Sequence, residues 1–193
     1  MSPFPRYGHS LPPVPTQSGH LLIFGGLVRE SVRNDLFALD CQDFSAEPVQ
    51  ATGEIPVPRV GHASALVRSV LLVWGGDTKN RIEDEQDEGI YLFNIRERSP
   101  IRRCFARRDM LKAVDGVTDT REWTRIMALG ARPKGRYGHA VCMSGNTFYV
   151  SGGQVDGRFM NDLWGFDLST CELVNLCRPA GSHVASRTLT GIA

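Results

Sequence analysis

The chain has 193 residues, with 22 Lys and Arg against 21 Asp and Glu, so its formal net charge is +1. This length allows one domain with a sizeable core, and the charge balance excludes a global attraction to nucleic acid or to a membrane surface. A hydrophobic content of 41% with 20 glycines and 11 prolines is typical of short strands joined by many turns, and it excludes a helical bundle or a disordered segment.

The N-terminus, MSPFPRYGHS, lacks the basic start and the apolar stretch of a signal peptide. No apolar run approaches the roughly 20 residues needed to span a bilayer, so we expect a cytoplasmic protein without a membrane span. The five cysteines are an odd number without CxxC spacing. We therefore expect reduced thiols, not a disulfide framework or a zinc knuckle.

Taken in chain order, the sequence repeats the same motifs three times. Each unit opens with Arg-x-Gly-His, continues into an apolar run that ends in a Gly-Gly doublet, and then carries an aromatic segment such as NDLFALD. The doublets are Gly25-Gly26, Gly75-Gly76 and Gly152-Gly153. A further strand is expected at REWTRI, around Trp123, with weaker counterparts at AEPVQA and CELVNL. The pattern predicts four short strands in each unit.

A glycine six residues before an arginine marks each unit boundary, at Gly53, Gly130 and Gly181. We predict units over residues 6–58, 59–135 and 136–180, and a fourth unit that begins in 181–193 and then loses its pattern. The second unit carries an insertion over residues 96–122. A surface excursion, a basic contact with an acidic partner and a gene-model artefact all stay open for this insertion, and specific nucleic-acid binding is not expected because aromatic residues are scarce in it.

The repeat resembles the kelch repeat of β-propellers over nearly the whole chain. This resemblance implies an all-β fold of about three four-stranded antiparallel blades that form an incomplete propeller, because known propellers close with four to eight blades. The stretches GHASALVRSVLLVWGGDTK, REWTRI and GRYGHAVCMSGNTFYVSGGQVDGRFMNDLWGFDL are similar to the kelch domain of fungal cell-end polarity markers. This similarity implies a cell-polarity scaffold at the cell cortex or cell ends, with cytoskeleton-associated polarity factors as partners.

Most repeated residues are interpreted as structural. The doublet glycines permit positive φ angles and close backbone approach, and no GKS or GKT follows them, so phosphate binding is not expected. Trp123 and Trp164 are expected to pack in the core between blades. The motif histidines are expected to form hydrogen bonds at the start of the first strand, since no second ligand at a suitable spacing favours a metal or general-base role. These histidines are His9, His62 and His139. We predict no catalytic, cofactor-binding or metal-binding residue.

Two sets of loops form the candidate partner-binding surface. In kelch propellers that bind peptides these loops share one face, so the resemblance implies contact through the motif arginines and the residues after the doublets. The residues concerned are Arg6, Arg59, Arg136, Leu27, Asp77 and Gln154. For the arginines, local pairing with a carboxylate of a neighbouring strand stays open as an alternative. An open arc also exposes apolar blade faces, which predicts self-association through them.

The leading functional hypothesis is a non-enzymatic protein–protein interaction module without a cofactor. The first alternative is an enzyme on a kelch propeller, similar to galactose oxidase or to iron-dependent specifier proteins. The second is the substrate-receptor propeller of a ubiquitin ligase, a class that normally carries a BTB-type helical domain beside the propeller.

Overall fold

The computed structural model describes residues 3–78, 86–95 and 121–177, and every helix or strand within these ranges is a β-strand. None of these residues belongs to a helix long and apolar enough to cross a membrane. The all-β fold class predicted from the sequence is confirmed. The predicted insertion at 96–122, apart from its last two residues, and the predicted fourth unit at 181–193 lie outside the described residues.

The first blade is a three-stranded antiparallel sheet. Its strands, in spatial order, are β1 (His20–Val28), β2 (Ser31–Asp40) and β3 (Ala46–Pro48). The strand expected before β1 is replaced by irregular backbone with two isolated bridges, between Tyr7 and Leu27 and between Ser10 and Phe24. The stretch Leu-Pro-Pro-Val-Pro at residues 11–15 explains the difference, because each proline lacks the N–H that a ladder requires.

The second blade is a meander of four antiparallel strands, as predicted. They are β5 (Ala63–Val67), β6 (Val70–Trp74), β7 (Ile90–Asn94) and β8 (Glu122–Ile126). A short strand from the preceding linker, β4 (Thr52–Gly53), pairs in parallel with the outer edge of β8.

The third blade also contains four antiparallel strands, in the spatial order β14-β13-β10-β9. They are β9 (Ala140–Ser144), β10 (Thr147–Ser151), β13 (Leu163–Asp167) and β14 (Leu173–Asn175). A two-stranded hairpin, β11 (Gln154–Val155) and β12 (Arg158–Phe159), lies between β10 and β13 along the chain.

Two apolar clusters join the blades. Successive residues of a strand face opposite sides of the sheet, so blade two contributes one of its faces to each cluster. The first cluster packs Phe24 of blade one against Leu71, Phe93 and Trp123 of blade two. The second packs the other face of blade two against blade three. Its large members are Leu72, Trp74, Ile90, Phe148, Trp164 and Phe166. Both faces of blade two are therefore covered, which explains why Leu71 and Leu72, adjacent in sequence, are both fully buried.

The two outer blade faces differ in exposure. On blade three, Val174 and Leu176 are 50% and 45% exposed, and Val174 lies opposite Gly165 on the side away from blade two. On blade one, Ile23 and Phe37 are only 0% and 6% exposed. Apolar side chains were expected to be exposed on the outer faces of both end blades, and in the described residues they are exposed mainly on blade three.

The cysteines do not all match the expectation of reduced thiols. Cys41, Cys142 and Cys177 are free. Cys171 is disulfide-bonded, so the expectation is wrong for this residue.

Candidate functional site

The arginine of each Arg-x-Gly-His motif is buried within its own blade. The side chains of Arg6, Arg59 and Arg136 are 2%, 0% and 1% exposed. In each blade the arginine Nη1 donates a hydrogen bond to the carbonyl oxygen of the first doublet glycine. The distances are 2.7 Å for Arg6–Gly25, 2.9 Å for Arg59–Gly75 and 3.0 Å for Arg136–Gly152. The guanidinium group thus ties the blade entrance to the end of the second strand.

The same guanidinium groups form ion pairs with an aspartate that lies within the next long strand or just before it. The pairs are Arg6–Asp35 at 2.7 Å, Arg59–Asp87 at 2.7 Å and Arg136–Asp162 at 2.5 Å. Burial raises the pKa of Asp87, but hydrogen bonds from Tyr91 and the Gly89 amide, together with the charge of Arg59, outweigh it and lower the pKa. Burial, followed by its hydrogen bond to Asp87, raises the pKa of Tyr91 to about 12.

These contacts decide between the two interpretations of the arginines. Each side chain is saturated by a carboxylate and a backbone carbonyl, and a guanidinium that is 0–2% exposed cannot reach a partner. The geometry therefore supports local pairing for Arg6, Arg59 and Arg136. Buried to this extent, the three guanidinium groups do not form part of the exposed surface.

The motif histidines contact the preceding blade, which the sequence did not predict. The ring of His62 packs edge-on against Phe24 of blade one, with centroids 5.3 Å apart, and His139 packs against Trp74 of blade two at 5.2 Å. Neither ring nitrogen of His62 or His139 has a hydrogen-bond partner among the described residues. Ring packing between blades, rather than the expected hydrogen bond, is the contact that the structure shows.

His9 has no blade before it in the described chain, and its ring packs against Phe4 instead, at 5.9 Å. Phe4 thus packs against the motif histidine of the first blade, as Phe24 and Trp74 pack against the motif histidines at the two junctions.

Burial keeps the junction histidines neutral. Desolvation, followed by the positive charge of Arg59, lowers the pKa of His62 to about 3. Desolvation and the charge of Arg136 lower the pKa of His139 to about 4. Both rings are therefore uncharged at neutral pH, as an unpaired buried group must be to avoid a large desolvation cost.

The second glycine of each doublet lies where backbone of the blade entrance approaches closely. A Cβ added at Gly153 would be 2.9 Å from the Cβ of His139, and the φ of Gly153 is +97°. The corresponding Gly76 donates its N–H to the carbonyl oxygen of Arg136 in the next blade, at 2.7 Å. Gly26 donates in the same way to Arg59, at 2.9 Å. The doublets therefore set both the end of a strand and the position of the following blade.

The structure brings the two predicted loop sets together. The residue after each motif arginine forms an isolated antiparallel bridge with the residue after the doublet: Tyr7 with Leu27, Val60 with Asp77, and Tyr137 with Gln154. In blade three the row continues, since Gln154 pairs with Phe159, and in blade one Leu27 pairs with Val32. We call these eight residues the loop face.

The loop face contains large exposed side chains that sequence reasoning missed. Tyr7 is 75% exposed, Tyr137 42%, Phe159 86% and Val32 38%. Residues directly opposite each other in antiparallel strands project to the same side, so Tyr137, Gln154 and Phe159 form one continuous row. The aromatic residue inside two of the three Arg-x-Gly-His motifs could have indicated this surface, because the side chain of the arginine before it is buried.

The described residues offer little room for a small ligand. The two best-formed pockets each provide a volume of about 10 Å³, close to that of one water molecule. Within the described ranges no three histidine, cysteine or carboxylate side chains are placed to hold a metal ion. Trp123 and Trp164 lie in the core, at 1% and 8% exposure, and the indole of Trp164 donates to Asp162 at 2.7 Å.

Comparison with known proteins agrees with the repeat geometry. Residues 8–191 match the family described as the KLHDC2/KLHL20/DRC7 Kelch-repeats domain. The chain is 34% identical over 179 residues to Kelch repeat-containing protein 2 of Saccharomyces cerevisiae, which covers 88% of this chain and 18% of that protein. It is 32% identical over 166 residues to Tip elongation aberrant protein 1 of Schizosaccharomyces pombe, covering 86% and 12%.

A third relative is the Rab9 effector protein with kelch motifs of Gallus gallus, 28% identical over 161 residues, with 83% of this chain and 37% of that protein covered. The chain thus spans less than two fifths of the length of each of these relatives. Their names include an effector and a factor in tip elongation, which together with the domain match implies a protein-interaction module. The repeats, the blades and these matches together show that the chain belongs to the kelch-repeat family of β-propeller domains.

Proposed function

We propose that this chain is a non-enzymatic module that binds a protein partner through the loop face. The observation that carries the proposal is the row of exposed side chains at one end of the blades, led by Tyr7, Tyr137 and Phe159. Tyrosine and phenylalanine provide large contact areas at low cost in side-chain entropy, and aromatic residues are enriched at the centres of protein interfaces.

The backbone under these side chains is rigid. Tyr137 exchanges two hydrogen bonds with Gln154, at 3.3 and 2.9 Å, and follows an arginine that is fixed by Asp162. Tyr7 exchanges equivalent bonds with Leu27, at 3.0 and 2.8 Å. An interface that is already ordered in the free protein loses less entropy on binding. The buried arginines thus serve recognition indirectly, by holding the exposed neighbour in place.

We further propose that the partner is a polarity factor associated with the cytoskeleton, and that the chain acts in a scaffold at the cell cortex or cell ends. The relative named Tip elongation aberrant protein 1 supports this assignment. The relative named as a Rab9 effector supports protein binding in general.

The test uses site-specific photo-crosslinking in cells. A benzophenone side chain is placed at Tyr137 on the loop face, and at Phe44 as a control, because Phe44 is 75% exposed and follows the opposite end of β2. We expect a crosslink to a protein other than this chain at position 137 and no such crosslink at position 44. A fluorescent fusion of the same chain should concentrate at cell ends if the polarity assignment holds.

A matched set of variants tests the contact itself. Tyr7→Ser, Tyr137→Ser and Phe159→Ser together should abolish binding of the crosslinked partner, while Phe44→Ser should leave it unchanged. Since all four side chains are exposed, unfolding free energies should change by no more than about 0.5 kcal/mol each. Full binding by the stably folded triple variant would remove the loop face as the interface.

A further inference from the structure

Two of the three blades carry an extra backbone segment on the outer edge of their last strand. On β8, Thr52 donates to the carbonyl oxygen of Arg121 and Glu54 donates to that of Trp123, both at 2.9 Å. On blade three, Leu129 donates to the carbonyl oxygen of Cys171 at 3.0 Å and accepts from the N–H of Leu173 at 3.1 Å. In both blades the segment runs parallel to the strand that it covers.

The covering segment requires glycine at its second position. A Cβ added at Gly53 would be 2.3 Å from the carbonyl oxygen of Trp123, and one at Gly130 would be 3.2 Å from that of Leu173. Both glycines also have positive φ angles, +82° and +93°. Each covering segment therefore consists of an extended residue followed by a glycine, and these two residues lie seven and six positions before a motif arginine.

The equivalent edge of blade one is open. Ala46 corresponds to Trp123 and Leu173, because it pairs with Leu39 as they pair with Phe93 and Phe166. The N–H of Asp40 in β2 donates to the carbonyl oxygen of Ser45 at 2.9 Å. In the same way, the N–H of Asp167 in β13 donates to the carbonyl oxygen of Glu172 at 3.0 Å. The strand β3 pairs with β2 alone, and it lies at the edge of its sheet.

Three backbone groups therefore point outward from β3 without a partner among the described residues: the carbonyl of Phe44 and the N–H and carbonyl of Ala46. The turn before them is already shaped like its counterpart in blade three, since φ is +59° at Phe44 and +57° at Cys171. Unpaired strand edges of this kind bind extended segments by strand addition.

We propose that the outer edge of β3 binds the Ala180–Gly181 segment of a second copy of this chain, in parallel. The sequence supplies the segment, because Ala180 and Gly181 lie seven and six residues before Arg187, as Thr52 and Gly53 do before Arg59. On the pattern of Thr52 and Glu54, the N–H of Ala180 donates to Phe44 and that of Ser182 donates to Ala46. Each copy thus offers one edge and one segment, and the surface differs from the loop face.

The test is self-association of the 193-residue chain, measured by sedimentation velocity over a wide concentration range. Ala46→Pro removes the outward N–H of β3 without removing a bond to β2, and Gly181→Val places a side chain where the carbonyl of Ala46 approaches. We expect the wild-type chain to associate and each variant to be monomeric. A mixture of the two variants should associate again as a one-to-one complex, because one supplies an intact segment and the other an intact edge.

A synthetic peptide of residues 178–184 gives a second measurement. It should bind the wild-type chain, and neither the Ala46→Pro chain nor the Gly181→Val peptide should show binding. A wild-type chain that stays monomeric overturns the proposal, even if the peptide binds, because the segment that occupies the β3 edge would then not come from a second copy. Association that persists in both variants overturns it as well.

Discussion

The two histidines at the blade junctions should make the stability of the protein depend on pH in a window where few other groups titrate. His62 and His139 are neutral in the folded protein, with pKa values of about 3 and about 4 instead of 6.5. In the unfolded chain both take up a proton near pH 6.5. The unfolded state therefore binds more protons as the pH falls below 6.5, and the folded state loses stability.

The size of the effect follows from the proton difference. Each histidine contributes about 1.4 kcal/mol per pH unit between 6.5 and its folded pKa. From pH 7.5 to pH 5.0 this amounts to about 2 kcal/mol for each ring, or about 4 kcal/mol for the two, a large part of the stability of an ordinary domain. The motif aspartates act in a lower range, because Asp87 and Asp162 have pKa values below 3.8 and lose their stabilising charge only as the pH falls through them.

The assay is urea unfolding at a series of pH values, followed by tryptophan fluorescence, since Trp74 and Trp123 are 2% and 1% exposed. A double variant, His62→Gln with His139→Gln, should lose most of the dependence on pH between 7.5 and 5.0, and the remainder should come from His9, whose pKa is also lowered by burial and by the charge of Arg6. His20→Gln serves as the control, because His20 lies at the surface with a side chain that is 36% exposed. An unchanged slope in the double variant would refute the assignment of the effect to the junctions.

Three further substitutions test the structural roles. Arg59→Met should lower the free energy of unfolding by about 3–5 kcal/mol, because it removes the fully buried ion-pair partner of Asp87 and the donor to the Gly75 carbonyl, whereas Arg125→Met, at a residue 41% exposed that binds the same carboxylate, should cost about 0–1 kcal/mol in the same urea titration. Gly153→Ala should prevent close approach of the blade entrance and lower the melting temperature by more than Gly157→Ala, where a Cβ would have nothing within 4 Å; equal shifts would contradict the packing argument. Trp123→Ala should cost about 3–5 kcal/mol in unfolding free energy, and a cost under about 1 kcal/mol would show that the first junction is not held by this ring.

The repeats made the fold predictable, because the doublets at Gly75-Gly76 and Gly152-Gly153 follow the ends of β6 and β10, and Gly25-Gly26 lies at a register shift within β1. The missing first strand of blade one could also have been anticipated from Pro12, Pro13 and Pro15, which cannot donate to a ladder. The prediction of this strand relied on the repeat alone, and the prolines prevent the strand from pairing.

The site was less predictable, since exposure is a property of packing. Arg59 and Tyr137 lie in the same motif type, and the sequence left partner contact and local ion pairing equally open for the arginine. In the structure the arginine finds a carboxylate 28 positions later, so that it is buried, and the aromatic residue is left outside. The pairing of Arg59 with Asp87 depends on a contact across three strands that no local pattern contains.

The junction hydrogen bonds also show how much loop-closure entropy the long connection between β7 and β8 costs. Gly26 and Arg59, which meet at the first junction, are 33 residues apart, whereas Gly76 and Arg136, which meet at the second, are 60 apart. Loop-closure entropy grows only with the logarithm of loop length, so the longer connection costs only about 0.5 kcal/mol more than the shorter one. A blade held by buried ion pairs can therefore accept added sequence between its third and fourth strands almost without penalty, and segments inserted there are free to diverge while the propeller geometry stays fixed.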